Sequence, residues 1–109
     1  MKEIKAIIRP FKLTDVLTEL HGVEGMPGVA VSEIKRFGRS GSKAADTGLI
    51  DFVAEVKIEL VVPDDLVEKT VAMIQAAAHT GNVGDGKIFI SPVEGVVVIR
   101  TNERIAEAR

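Results

Sequence analysis

A chain of 109 residues, 46% hydrophobic and 28% charged with basic and acidic side chains interspersed, holds one folded domain with one modest core and is no disordered polymer. Its 14 Lys and Arg against 16 Asp and Glu leave a formal net charge of -2, so the positive excess that a nucleic-acid binder needs is missing. Cysteine is absent, which excludes disulfides and thiolate metal sites, and His21 and His79 lie far apart with no ligand pattern around them, so no metal is expected.

Ile4, Ala6 and Ile8 alternate with Lys5 and Ile7 up to Pro10, the two-residue period of a first strand. From Leu13 the period lengthens. Val16, Leu17, Leu20 and Val23 form a helical stripe, with Thr14 or Asp15 placed to cap its first turn. Gly22, Gly25, Pro27 and Gly28 end that helix, and a second strand runs from Val29 toward Phe37. The run from Gly38 to about Thr47 has neither period and too little apolar surface to offset the entropy of ordering it, so it reads as a long flexible loop.

Alternation resumes at Phe52, with Val56, Ile58, Leu60 and Val62 on one face and Glu55, Lys57 and Glu59 on the other, ending at Pro63. Pro63, Asp64 and Asp65 start a second helix with carboxylates at the positive end of its dipole, and Val67, Val71, Ile74 and Ala78 form its stripe. Past the glycine-rich segment Thr80–Gly86 come two short β segments, Lys87–Ser91 and Val93–Arg100. The order βαββαβ with an extra C-terminal strand predicts a single α+β domain over 1–109, a ferredoxin-like sheet with both helices on one face. Ile7, Val61, Val97 and Ile99 would make the other face apolar, which predicts an oligomer, and the polar tail at about 101–109 is expected to be mobile.

Thr80–Ile90 (TGNVGDGKIFI) is the most informative segment. Three glycines in six residues let a backbone approach a ligand closely, and Lys87 adds a point charge suited to phosphate oxygens. An ordinary helix-to-strand loop, with Gly81 as a helix cap and Gly84–Gly86 as a turn, accounts for the same residues. Walker and dinucleotide-fold glycine spacings are absent. Arg39 beside Gly38 and Arg100 at the end of the last strand are further phosphate-binding candidates. No Ser-His-Asp or Cys-His set occurs, and an acylphosphatase-like site lacks its asparagine, since Asn82 and Asn102 are both misplaced, so no catalysis is expected.

Four ordered blocks, Met1–Leu13 (MKEIKAIIRPFKL), Phe37-Gly38-Arg39, Val56–Asp65 (VKIELVVPDD) and Thr80–Ile90, resemble the PII nitrogen regulatory proteins over nearly the whole chain. The resemblance implies a homotrimeric, non-enzymatic signal-transduction protein. It would bind ATP, ADP or AMP in clefts between subunits and control a transporter or metabolic enzyme through a T-loop, here about 39–54. By position it implies nucleotide contacts from Gly84, Asp85, Gly86 and Lys87, from Gly38 and Arg39, from Arg100 of a neighbouring subunit, and from Glu59 and Val61 on the strand flanking the adenosine.

Departures from the family pattern are specific. The T-loop is shorter and the chain has no tyrosine, which removes nucleotidylation of a T-loop tyrosine. Ser40 stands in place of a glutamine, Glu55 of a lysine, Val98 of an arginine and Arg36 of a glycine, so 2-oxoglutarate binding is not expected and ATP should lose more affinity than AMP or ADP unless Arg36 compensates. A CutA-like structural or metal-related trimer without nucleotide sensing is the alternative. The N-terminal MKEIKAIIRP has no apolar h-region and no run approaches the roughly 20 apolar residues of a membrane span, so the expected location is the cytoplasm, with membranes reached only through a transporter.

Overall fold

A computed structural model describes residues 1–37 and 52–105. Strand β1 (Lys2–Ile8) leads through a 3-10 turn (Pro10–Lys12) into helix α1 (Leu13–His21). Strands β2 (Ala30–Phe37) and β3 (Phe52–Val62) follow, then a 3-10 turn (Asp64–Leu66), helix α2 (Val67–Ala78) and strand β4 (Gly86–Pro92). A hairpin of β5 (Val96–Val98) and β6 (Glu103–Ile105) closes the described chain.

The four long strands form one antiparallel sheet in the order β2-β3-β1-β4, the expected ferredoxin-like α+β arrangement. Its register places Ile4, Ala6 and Ile8 of β1 level with Leu60, Ile58 and Val56 of β3. These side chains meet Val16 and Leu20 of α1 and Ile74 and Ala78 of α2 in one buried cluster. Each fully buried Ile or Leu stabilises the fold by roughly 1.5–3 kcal/mol, which is why alternation in the strands and the helical stripe select the same face.

The start of the first helix differs from expectation. Neither Thr14 nor Asp15 caps α1: Lys12 holds the cap position with no side-chain bond, because the 3-10 turn already supplies i+3 bonds such as Lys12 N–H to the Arg9 carbonyl at 3.0 Å. At the second helix Asp64 turns to the N-terminal amine of Met1, 2.5 Å away, and that ammonium holds its carboxyl below the usual range.

Three boundaries are also corrected. Phe52–Ala54 belong to β3, as the alternation resuming at Phe52 predicts, so the T-loop bound of about 54 overlaps this strand. The expected mobile tail at 101–109 supplies strand β6 from Glu103 to Ile105, because Asn102 takes a left-handed φ of 58° and reverses the chain, its N–H reaching the Val98 carbonyl at 2.7 Å. Arg100 therefore sits in a turn and does not close a strand. Val97 and Ile99 go with this hairpin and not with the open face of the main sheet. There Ile7 and Val61 are interleaved with Lys5, Lys57 and Glu59, the last two 3.4 Å apart.

Candidate functional site

Strand β1 stops at Ile8, opposite Gly86 at the start of β4 and Val56 in β3. The site lies at this end of the sheet. Gly86 has a φ of +111°, and a Cβ there would fall 1.8 Å from the carbonyl oxygen of Ile7, so only glycine lets β4 enter beside β1. Lys87 follows immediately and stands opposite Ile7.

The loop ahead of β4 is tied together by Asp85. Its carboxylate accepts from the Thr80 N–H at 2.8 Å, the Gly81 N–H at 2.9 Å and the Thr80 hydroxyl. Arg9, the residue after β1, adds a longer bond from Nε at 3.4 Å and donates from Nη2 to the Val83 carbonyl at 2.7 Å. These donors, led by the Thr80 hydroxyl and then the Thr80 amide, hold the Asp85 carboxyl well below the ordinary carboxylate range. Asn82 N–H closes onto the Thr80 hydroxyl oxygen at 3.2 Å. The amides of Val83 and Gly84 make no hydrogen bond among the described residues. Gly84 has a φ of +99°, and a Cβ there would lie 2.9 Å from Arg9 Nη2.

Two hollows flank Gly86 and Lys87. One, about 280 Å³, runs between them and the end of α2 at Ile74, Gln75, Ala78 and His79. The other, about 320 Å³, is walled by Ile7, Arg36, Glu55, Val83, Gly84, Gly86 and Lys87. Glu55 is 4% exposed and forms an ion pair with Arg36 Nε, whose side chain is 38% exposed. The two lie on neighbouring strands, two residues off register and so on the same face, since Arg36 faces Val53 and Glu55 faces Ile34.

Of the residues expected from sequence, Gly84, Gly86 and Lys87 come together in this hollow. Asp85 is adjacent, but its carboxylate faces the loop amides and Arg9. Glu59 and Val61 line a different cavity of about 680 Å³, with Ala30, Val96, Val98 and Ile105, so within one subunit they do not meet the glycine loop. Arg100 lines neither hollow, and Gly38 and Arg39 lie outside the described residues. Sequence reasoning left out Arg9 and Thr80, which shape the loop, and treated Arg36 and Glu55 as separate departures. The signal for Thr80 was present, a hydroxyl five residues before an aspartate. For Arg9 only the β1–β4 register carries it.

Comparison with known proteins gives the chain a family and a fold neighbour. The family model described as nitrogen regulatory protein P-II matches residues 1–103. Among similar proteins is the nitrogen regulatory protein P-II of Azospirillum brasilense, 52% identical with 99% of each chain covered. Nitrogen regulatory protein P-II 1 of Escherichia coli is 50% identical over 94% of this chain and 95% of its own. The crystal structure of Arabidopsis thaliana PII bound to citrate matches with a TM-score of 0.80 and 39% identity, covering 99% of this chain and 91% of that one.

Proposed function

The chain belongs to the nitrogen regulatory protein P-II family, and on that premise we propose that it is a homotrimeric regulator that senses an adenine nucleotide and acts on a transporter or metabolic enzyme. The observation that carries this reading is the end of the sheet: Lys87 beside two positive-φ glycines, in a loop whose shape is held by Asp85 and Arg9 and whose Val83 and Gly84 amides have no partner among the described residues. Such a loop offers donors and one cation to phosphate oxygens without rearranging, so little of the binding energy goes to ordering it. The adenosine side falls to Glu59 and Val61, Gly38 and Arg39 contact the nucleotide at the base of the T-loop, and Arg100 reaches the phosphates from a neighbouring subunit. This division makes assembly a condition of sensing.

The nucleotide is ATP, ADP or AMP, and 2-oxoglutarate is not a ligand: where the family pattern has a lysine, Glu55 stands on the wall of the 320 Å³ hollow and holds the Arg36 guanidinium, so neither supplies a cation for the dianion. The protein works by binding and carries out no reaction. Among the described residues no helix is long and apolar enough to cross a membrane, in keeping with a cytoplasmic regulator that meets membranes through a transporter.

Calorimetric titration with ATP, ADP and AMP, with and without magnesium, tests this reading. One site per subunit, weakened about tenfold or more by Lys87→Ala, is the expected result, since a charge-assisted bond contributes about 1.5–3 kcal/mol. Absence of binding by all three nucleotides would overturn it.

A further inference from the structure

We propose that Arg36 and Glu55 form a self-neutralising pair that limits the charge of the anion the 320 Å³ hollow accepts. The proposal rests on reading that hollow as an anion site. Among the described residues of one subunit, three charged side chains line it: Arg36, Glu55 and Lys87. Two cations and one carboxylate leave a single net positive charge. Glu55 is almost wholly buried and bonds to Arg36 Nε, so moving the guanidinium onto a ligand leaves a buried carboxylate without its partner. Lys87 is exposed and makes no ion pair among the described residues, so of the two described cations that a single subunit brings to the hollow it is the one free to meet a ligand.

Geometry supports a fixed pair. Arg36 and Glu55 lie two residues off register on adjacent antiparallel strands, a diagonal within reach of long side chains, and the strands hold both backbones in place. A site with one uncompensated cation gains less from each added phosphate than a site with two. The hollow therefore discriminates weakly between a highly charged polyphosphate and a monophosphate, and Glu55 sets that discrimination without touching the anion.

The test compares inorganic tripolyphosphate with inorganic phosphate, and ATP with AMP, on the full chain. Glu55→Gln keeps an oxygen to accept from Arg36 Nε while removing the charge. It is expected to tighten tripolyphosphate about tenfold relative to phosphate. The double variant Arg36→Gln/Glu55→Gln restores the net charge and is expected to return the ratio to that of the unaltered protein. Should Glu55→Gln fail to fold, Arg36→Gln alone is expected to lower the ratio about tenfold, because it removes one cation.

An unchanged or lowered ratio in folded Glu55→Gln, a double variant that does not reverse the gain, or no inorganic anion binding by Glu55→Gln would overturn the proposal. The nucleotide reading is judged separately, by whether ATP and AMP bind more tightly than the two inorganic anions. Adenine recognition can fail while the charge rule holds, and the reverse.

Discussion

Arg9 donates from Nη2 to the Val83 carbonyl at 2.7 Å, joining the end of the first strand to a loop 74 residues later in the chain. Its Nε reaches the Asp85 carboxylate as well, so one planar guanidinium bridges two points of the glycine loop. Lysine cannot make both contacts. Arg9→Lys should keep the fold, lower stability by about 1 kcal/mol, and weaken nucleotide binding severalfold through loosening of the Val83–Gly84 backbone. Denaturant unfolding and calorimetry on the same preparation check both effects.

Asp85 gives a pH signature. Its carboxyl is held below the ordinary value by donors that exist only in the folded loop, so the unfolded chain takes up the proton first as pH falls. The stabilisation is complete above the ordinary aspartate value of about 3.9 and is lost only as pH drops toward the lower folded value. The amide resonances of Thr80 and Gly81 should therefore stay constant from neutrality to about that pH and move only below it. Early movement of both resonances on mild acidification would contradict the assignment.

Gly86→Ala is expected to be severe, because the added methyl meets the Ile7 backbone carbonyl and not a side chain that could swing aside. A loss of about 3 kcal/mol or more, seen as a lower denaturant midpoint, is expected. Gly84→Ala meets the far end of the Arg9 side chain and should cost about 1–2 kcal/mol, mainly for its positive φ.

Thr70 offers a gain. Its hydroxyl is fully buried in α2 and lacks a hydrogen-bond partner among the described residues. Thr70→Val keeps the shape and removes an unsatisfied polar group, which should raise stability by about 1 kcal/mol with nucleotide affinity unchanged. A drop in thermal midpoint would show that the hydroxyl has a role in the folded protein.

Most of the fold could be read from residue periods, because burial on one side of a sheet enforces them: Ile4, Ala6 and Ile8 are all buried while Lys5 and Ile7 are not. The hairpin at the C-terminal end escaped because its reversal depends on Asn102 adopting a left-handed backbone, a rare state for a non-glycine residue. In the site, Gly84, Gly86 and Lys87 could be read because glycine spacing and charge are local features. The Arg36–Glu55 pair could not, since it follows from the β2–β3 register across an intervening segment of the chain.

Strands β2 and β3 continue past the last residue that β1 pairs with, so their ends form a two-stranded arm. Arg36 and Glu55 lie on one side of that arm, and Phe37 and Phe52, exposed and with ring centroids 5.8 Å apart, lie on the other. Alternation keeps the two sides chemically separate while the backbone joins them mechanically. A substitution at Arg36 or Glu55 thus alters the charge of one side of the arm while the aromatic pair on the reverse side stays in place.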